Sequence, residues 1–397
     1  MTVGSGDGGS VVASANGSAR RRAANRTALL RALRSHGPTT RQDLARHAGL
    51  SLTTVASLLA ELEPTGLVVQ RPMAQGRAGR RPFLVAFDHA AGTALAVDVA
   101  ERYVAVAVGS RSQQVLAERR IEIPARPGPA AVAHLVCGLS EQVLAEAGCG
   151  AETLLGAAVS VGGAVEEPEE GGRGPGRRGG PTADAVARAV RQRWQIPIAL
   201  ESPARLGALA EYAEGPARGA RTLLNLTWDR RIDLGIAIGG ALHRGSSGSA
   251  GRLGHLMVRP GGRPCRCGLR GCLDAYLQEV PLLHDLDRGP TGPRETSVDA
   301  VVLLAQALAT ATLLLDPSAV VLGGSLAGRG EPLADRLTSE LGAMLPSDRT
   351  PLVVPSVLER RAPLLGGLVL VLSKVRGVER VAAGRANQQM STPAPEQ

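Results

Sequence analysis

The sequence is nearly devoid of aromatic residues, with two Phe, three Tyr and two Trp among 397 positions, or 2 % of the chain. Any core must therefore rest on Leu, Val and Ala. Lysine is rarer still, Lys374 being the single example, so arginine content alone carries no information and only its clustering does. Cysteine is scarce and odd in number, five in all, which excludes the disulfide framework of a small secreted scaffold. No apolar run reaches the roughly 18 residues of a membrane span, and the N-terminus lacks the apolar segment of a secretory signal. A soluble, cytoplasmic protein with no membrane partner is expected. The 44 % of hydrophobic residues suffices for buried cores and excludes a wholly disordered chain. At roughly 100–200 residues per domain, the length predicts two or three domains.

The net charge of +9 is unevenly placed: residues 1–90 hold 12 Arg against five acidic residues, while the remainder is close to balanced. A basic end on a near-neutral body points to nucleic acid, the bland alternative being a solvated arm. Residues 1–19, rich in Gly, Ser and Ala, are expected to form a disordered arm. Helical signals then run from about Arg22 to a stop at Gly37-Pro38. Thr40 can cap a second helix, with Asp43 three residues on as a shortened capping box, and Gly49 ends it. Ser51 caps a third helix carrying Val55, Leu58, Leu59 and Leu62 on its apolar side, up to Pro64 and Gly66. Strands at Leu67–Gln70 and Phe83–Phe87 flank the tip Gly76-Arg77-Ala78-Gly79-Arg80-Arg81-Pro82.

Helix, glycine turn, helix is the spacing of a helix-turn-helix. Leu44, Val55 and Leu62 can pack the two helices together, leaving the start of the second to enter a major groove. There Ser51, Thr53, Thr54 and Ser57 offer short hydroxyl contacts, while Thr40 and Arg41 stand at the start of the preceding helix, where Arg41 can hold a phosphate. The glycine-rich tip has the composition of a wing, with Arg77, Arg80 and Arg81 suited to phosphates or a narrow minor groove. A protein-binding three-helix domain has the same outline; the arginine tip favours double-stranded DNA.

From Thr93 the pattern becomes α/β. Strands at Leu95–Val99, Val104–Val108, Leu154–Val161, Ile198–Leu200, Thr222–Thr227, Leu234–Ile238 and Ala319–Leu322 alternate with helices near Ala130–Ala147, Thr182–Trp194 and Val298–Leu315. This alternation predicts mixed or parallel sheets flanked by helices. Residues 166–181 are a low-complexity interruption expected to form a surface loop, and the last dozen or so a disordered tail. No short-period repeat is visible.

GLSLTTVASLLAELEPTGLV at 49–68, GRRP at 79–82, SAGRLGH at 249–255 and CRCGLRGCLDAY at 265–276, with DPSAVVLGGSL at 316–326 as a softer match, resemble the ROK proteins, specifically their winged-helix repressor branch. The likeness covers roughly residues 20–375. It implies a winged helix-turn-helix at 20–90 and, at 91–383, a two-lobed actin-like domain of sugar-kinase type, the tail following at 384–397. It also implies a transcriptional regulator, a repressor acting on a DNA operator, assembled as a homodimer or homotetramer. The alternatives from other functional classes are a sugar kinase with an added N-terminal domain and a protein-interaction scaffold.

His255, Cys265, Cys267 and Cys272 have the spacing His-x9-Cys-x-Cys-x4-Cys. Three thiolates and an imidazole suit a closed tetrahedral zinc site, structural because no coordination position stays open. The family's zinc motif has these four ligands, so one zinc per chain is expected. Cys137 and Cys149 stand apart as small core residues.

The residues that a ROK kinase needs are largely replaced. Its first phosphate turn, Asp-x-Gly-x-Thr, reads Asp98-Val99-Ala100-Glu101-Arg102, and its Gly-Ile-Gly turn reads Arg231-Ile232-Asp233. Bulky charged side chains there block backbone N–H groups from wrapping a phosphate. The segment Glu-Asn-Asp-Ala reads Glu201-Ser202-Pro203-Ala204, so Pro203 stands where the family has its catalytic Asp, and a proline side chain accepts no proton. The Glu of the Glu-x-Gly-His motif is Arg252. These four losses predict a pseudokinase with no enzymatic activity. The family's sugar contacts map to Ser202, Pro203, Arg252, His255 and Asp274. Arg252 either receives an acidic sugar derivative or phosphate, or pairs internally with Asp233 or Asp274. The effector implied is a sugar or an acidic sugar derivative.

Overall fold

A computed structural model describes residues 9–65, 67–72, 83–87, 92–111, 114–124, 127–162, 180–229, 231–277, 299–346 and 348–375. The chain divides into two compact units, Met1–Thr93 with Ser110–Gln114, and Ala94–Gly109 with Val115–Gln397.

The first unit contains α1 (Gly9–His36), β1 (Thr39–Thr40), α2 (Arg41–Ala48), α3 (Leu52–Leu62), β2 (Val68–Pro72) and β3 (Phe83–Phe87). The strands form a small antiparallel sheet in the order β1-β3-β2. The first helix departs from expectation. It begins at Gly9 rather than near Arg22, so the segment expected as a disordered arm is helical from Gly9 onward. Ala and Arg dominate residues 19–34 and are strong helix formers, while one internal glycine such as Gly17 costs only about 1 kcal/mol. The caps fall where the local chemistry puts them. The Thr40 hydroxyl accepts the Asp43 N–H at 3.2 Å and donates to its carboxylate at 2.7 Å. Gly49 takes φ 65° to close α2, and the Ser51 hydroxyl accepts the Thr54 N–H at 3.1 Å. Leu44, Val55, Leu58, Leu59 and Leu62 are all buried, with Leu29 and Leu33 of α1 and Val85 and Phe87 of β3 in the same core.

The second unit begins with the sheet strands β4 (Thr93–Val99), β5 (Tyr103–Ser110) and β6 (Val115–Glu122), followed by α4 (Pro129–Glu146), β7 (Leu154–Val161), α5 (Pro181–Trp194) and β8 (Ile198–Glu201). Then come α6 (Pro203–Ala213), β9 (Thr222–Trp228), β10 (Ile232–Ile238), β11 (Ala241–Leu242) and the short α7 (Asp274–Leu277). The chain continues through α8 (Ala300–Leu315), β12 (Ala319–Gly323), α9 (Gly330–Met344), β13 (Leu352–Pro355) and α10 (Ala362–Val375). One five-stranded sheet has the order β6-β5-β4-β7-β8 and the other β11-β10-β9-β12-β13. Both therefore read third-second-first-fourth-fifth in chain order, a repeat of topology that leaves no trace as a repeat of sequence. In the second sheet β12 runs parallel to both β9 and β13, and β10 antiparallel to β9 and β11.

The cores follow from composition. In α8, AVVLLAQALATATLLL, the residues on almost every side are apolar, and such a helix is a core helix. Asp299 caps it by accepting the N–H groups of Val301 and Val302. It packs with α9 on the second sheet, as α4 and α5 do on the first. Helices α6 and α10 form a central pair: Leu206 and Leu209 share a cluster with Ala96 and Leu368, while Ala208 packs with Leu223 and Val321 of the second sheet. At their crossing, a Cβ on Gly366 would stand 1.8 Å from the Leu206 carbonyl oxygen, so glycine is what permits the approach. Among the described residues, no helix is long and apolar enough to cross a membrane. Of the loop expected at 166–181, residues 166–179 lie outside the described residues, and Pro181 is already the first residue of α5; the tail expected at 384–397 also lies outside them.

Candidate functional site

In the first unit the Ser51 N-cap leaves the opening turn of α3 solvent-facing. Ser51, Leu52, Thr53, Ala56 and Ser57 are exposed and Thr54 is half-buried. This face is short and shallow, and Leu52, 52 % exposed, is its largest apolar group. Two of the expected hydroxyls have local duties as well: Ser51 and Thr54 lie 2.8 Å apart within the cap. Ser57 accepts a hydrogen bond from Arg22 of α1 at 3.1 Å, and Arg22 also pairs with Glu61. Arg22 therefore joins this face, although its place in the sequence marks it only as a helix residue. Arg41 is exposed, with its Nε donating to Gln70 of β2 at 2.8 Å. Arg77, Arg80 and Arg81 lie outside the described residues.

In the second unit His255, Cys265, Cys267 and Cys272 converge, their ligand atoms all within 4.8 Å of one another. Cys267 Sγ and Cys272 Sγ are 3.7 Å apart, and Cys265 Sγ lies 3.8 Å from His255 Nδ1. With Zn–S of about 2.3 Å and Zn–N of about 2.0–2.1 Å, the edges of a tetrahedral site are roughly 3.8 Å for S···S and roughly 3.6 Å for S···N. The donor set fits zinc in type and spacing. The backbone holds it with turns rather than long elements: Met257 bridges Cys272, Pro264 bridges Arg270, and the Cys265 N–H donates to the Leu269 carbonyl at 2.8 Å. Gly271 has φ 85°, and a Cβ there would lie 1.8 Å from the Arg259 carbonyl oxygen. Burial pushes the Cys272 thiol up to about 12 and the Cys265 thiol up as well, with the neighbouring sulfurs adding to the rise at Cys272. A bound cation is what would make thiolates favourable here. Cys137 and Cys149 are half-buried, and burial raises both of their thiols.

Of the residues at the expected kinase positions, Asp98, Ala100, Glu101, Arg102 and Pro203 line a cavity of about 480 Å³ at the ends of β4, β9 and β12. Asp98 is buried at its floor, and burial lifts its carboxyl to about 6 against the hydrogen bond that Tyr103 donates at 2.9 Å. Glu101 and Arg102 stand on its exposed side. Pro203 lines it as the first residue of α6, a position where the missing N–H costs nothing, and Ser202 caps that helix by accepting the Arg205 N–H at 3.3 Å. Ser-Pro is thus also a helix start, a role that stands beside the expected loss of a catalytic carboxylate. Arg231 and Ile232 close the β9–β10 hairpin, the Asp229 N–H donating to the Arg231 carbonyl.

None of Ser202, Arg252, His255 and Asp274 lines this cavity. Asp274 is buried and accepts the Ile232 N–H at 3.2 Å. Arg252 lies close enough to Asp233 for its charge to oppose the upward push that burial and Asp274 exert on that carboxyl. Beside Ser202, Glu201 pairs with Arg244 at 2.5 Å and Arg205 at 3.5 Å, and Arg205 also donates to the carbonyls of Gly248 and Ala250. This network pins the 244–250 loop to the start of α6. Arg244, Gly248 and Ala250 stand some 43 residues or more from the groups they meet, and nothing local in the sequence announces them.

Comparison with known proteins agrees with this geometry. The ROK family profile matches residues 94–374, and the IclR helix-turn-helix domain profile matches residues 24–72. The chain is 22 % identical over 369 residues to the xylose repressor of Bacillus subtilis, covering 88 % of this chain and 94 % of that one. It is 23 % identical over 375 residues to the DNA-binding transcriptional dual regulator NagC of Escherichia coli, covering 87 % and 92 %. A crystal structure of a ROK family transcriptional regulator, a homolog of the E. coli MLC protein, shares the fold with a TM-score of 0.60 at 18 % identity, over 89 % of this chain and 97 % of that one. With a match that runs through both sheets and the cysteine cluster, the chain belongs to the ROK family and carries an IclR-type helix-turn-helix at its N-terminus.

Proposed function

We propose that the protein is a cytoplasmic, DNA-binding transcriptional regulator of the ROK repressor type, in which a zinc-stapled body has lost phosphotransfer. The observation that carries this reading is the pairing, in one chain, of a capped helix-turn-helix with an exposed α3 and a body in which Pro203 lines the cleft. The likeness to two regulators, over 88 % and 87 % of this chain, supports it. The reader spans residues 20–90 and the body 91–383. In this reading α3 enters the major groove, where the positive end of its dipole faces phosphate. Thr53 and Ser57 offer hydroxyls, Leu52 meets a thymine methyl group, and Thr40, Arg41, Ser51, Thr54, Arg22 and the arginine tip at 77–81 position the duplex.

His255, Cys265, Cys267 and Cys272 hold one structural zinc, whose chemistry is to bind the thiolates and fix the turns of residues 255–273. A homodimer or homotetramer presents two readers to a two-part operator, and an effector shifts the DNA-competent population. Ser202 and Asp274 are engaged in the fold itself, and Arg252 sits near Asp233, so an effector at these residues would have to be a sugar or acidic sugar derivative that displaces existing contacts. The test is capture and sequencing of genomic fragments by the purified protein at moderate salt. Enrichment of a few sites sharing a two-fold motif is expected. No enrichment with folded, zinc-loaded protein would refute the reading.

A further inference from the structure

The cavity at the ends of β4, β9 and β12 has features that neither loss of phosphotransfer nor DNA binding explains. Its floor holds two buried acceptors, Asp98 Oδ1 and Asn225 Oδ1, with no hydrogen-bond partner among the described residues. Asp98 is 2 % and Asn225 1 % exposed, and both line the cavity. The Ser160 hydroxyl stands near enough to Asp98 to favour its charged form, yet it too is left without a hydrogen bond of proper geometry. Asn225 is oriented by its Nδ2, which donates to the Ala204 carbonyl at 2.9 Å, so its oxygen is the atom left over. A buried acceptor without a donor costs about 1–3 kcal/mol, and two at one floor call for donors from outside the described residues.

The rim supplies the sign of the charge. The exposed side carries the carboxylates of Glu101, Glu122, Asp229 and Glu359 against the guanidinium groups of Arg102 and Arg360, with Arg120 over the Tyr103 ring and 4.0 Å from Glu122. The cavity is thus acidic in a chain whose net charge is +9. Glu359 is held at φ 48°, a left-handed conformation that is unfavourable for a residue with a side chain. Such a field repels a nucleotide triphosphate, and Glu101 and Arg102 already obstruct a phosphate turn. Nor do the carboxylates converge on a single small ion: among the described residues, the only group of three or more ligating side chains that meets is His255 with Cys265, Cys267 and Cys272. Acceptors spread around 480 Å³ suit an organic molecule with several separated donors, at a size within the roughly 300–1,000 Å³ of small-molecule sites.

We propose that this cavity binds a small organic polyamine, a ligand carrying two or more ammonium groups, one set against Asp98 and Asn225 at the floor and another against Asp229 and Glu122 at the rim. The site stands whether or not the N-terminal unit reads DNA.

Titration calorimetry of the full chain with spermidine, at about 50 mM salt, tests it. One spermidine per chain is expected. Asp229→Asn keeps the oxygen that accepts from the Ser325 N–H and hydroxyl while removing the charge, and should weaken binding fivefold or more. Glu122→Gln, at an exposed strand end, should do the same. Mg–ATP should neither bind nor compete. Absence of spermidine binding, affinity unchanged in both folded variants, or competition by Mg–ATP would each overturn the proposal.

Discussion

Glu211 offers a quantitative test of the central layer of the body. Its side chain is fully buried on α6; Oε1 accepts from the Ser356 hydroxyl, which itself accepts the Leu358 N–H at 3.1 Å, and Oε2 has no partner among the described residues. The contact ties the helix that begins at Pro203 to the segment running from β13 into Glu359 and Arg360 of the cleft rim. Burial lifts the carboxyl from 4.5 to about 7, against the Ser356 hydrogen bond. Between those pH values the folded form keeps a proton that the unfolded chain has released. Stability is therefore unpenalised below about pH 4.5 and falls as pH rises toward 7, where the penalty is complete. At about 1.4 kcal/mol per pH unit the penalty is on the order of 3 kcal/mol. Glu211→Gln retains an oxygen for Ser356 and cannot ionise. Urea unfolding followed by the fluorescence of Trp228, which is buried in β9, should therefore show the variant gaining about 2–3 kcal/mol on the parent between pH 4.5 and pH 8. Other carboxylates cancel in the subtraction, since the two proteins share them. Parallel pH profiles for the two proteins would refute the argument.

Metal analysis of the purified protein should give about one zinc per chain; Cys265→Ser should lose it and lower the thermal midpoint, and full occupancy in that variant would defeat the zinc assignment. Reversing the charge of Arg77, Arg80 and Arg81 should abolish DNA binding. Neutralising them should cut the salt slope by up to about 0.9 for each phosphate no longer neutralised, and an unchanged slope would shift weight to a protein-binding role for the winged helix. Ser51→Ala should destabilise the first unit by about 1 kcal/mol through loss of the α3 cap, visible by thermal denaturation. Pro203→Asp should restore no ATP-dependent consumption of glucose, N-acetylglucosamine or mannose in a coupled assay, because Glu101, Arg102 and Arg231 still obstruct the phosphate turns.

Elements with strong local chemistry are legible in the residues themselves. Thr40, Gly49 and Ser51 mark the ends of α2 and α3, and Leu154–Val161 is a run of apolar and small residues, broken only by Ser160, that forms a strand over those same residues. Elements whose local signal conflicts with their place are not legible in this way. The strand β6, VLAERRIE, is half-exposed and charged because it lies at a sheet edge. The helix α10 contains Gly366-Gly367, which reads as a break until the close crossing with α6 explains it. At Pro203 two readings coincide, the proposed missing base and the observed helix opening, and residue identity suggests the first more readily than the second.

By itself the sequence determined the charge asymmetry, the two capped helices, the His-Cys-Cys-Cys spacing and the departures at Ala100, Arg102, Pro203 and Arg252 from the expected kinase pattern, since each depends on groups near one another in the chain or on residue identity alone. Tertiary structure decided the rest. The repeated third-second-first-fourth-fifth strand order, the Glu201–Arg205–Arg244 network, the Glu211–Ser356 contact across 145 positions, and the orphaned oxygens of Asp98 and Asn225 all join distant segments. Whether a carboxylate is partnered, buried or facing a cavity is a property of what packs around it, and the neighbours of these groups are brought there only when the two sheets and the α6–α10 layer close together.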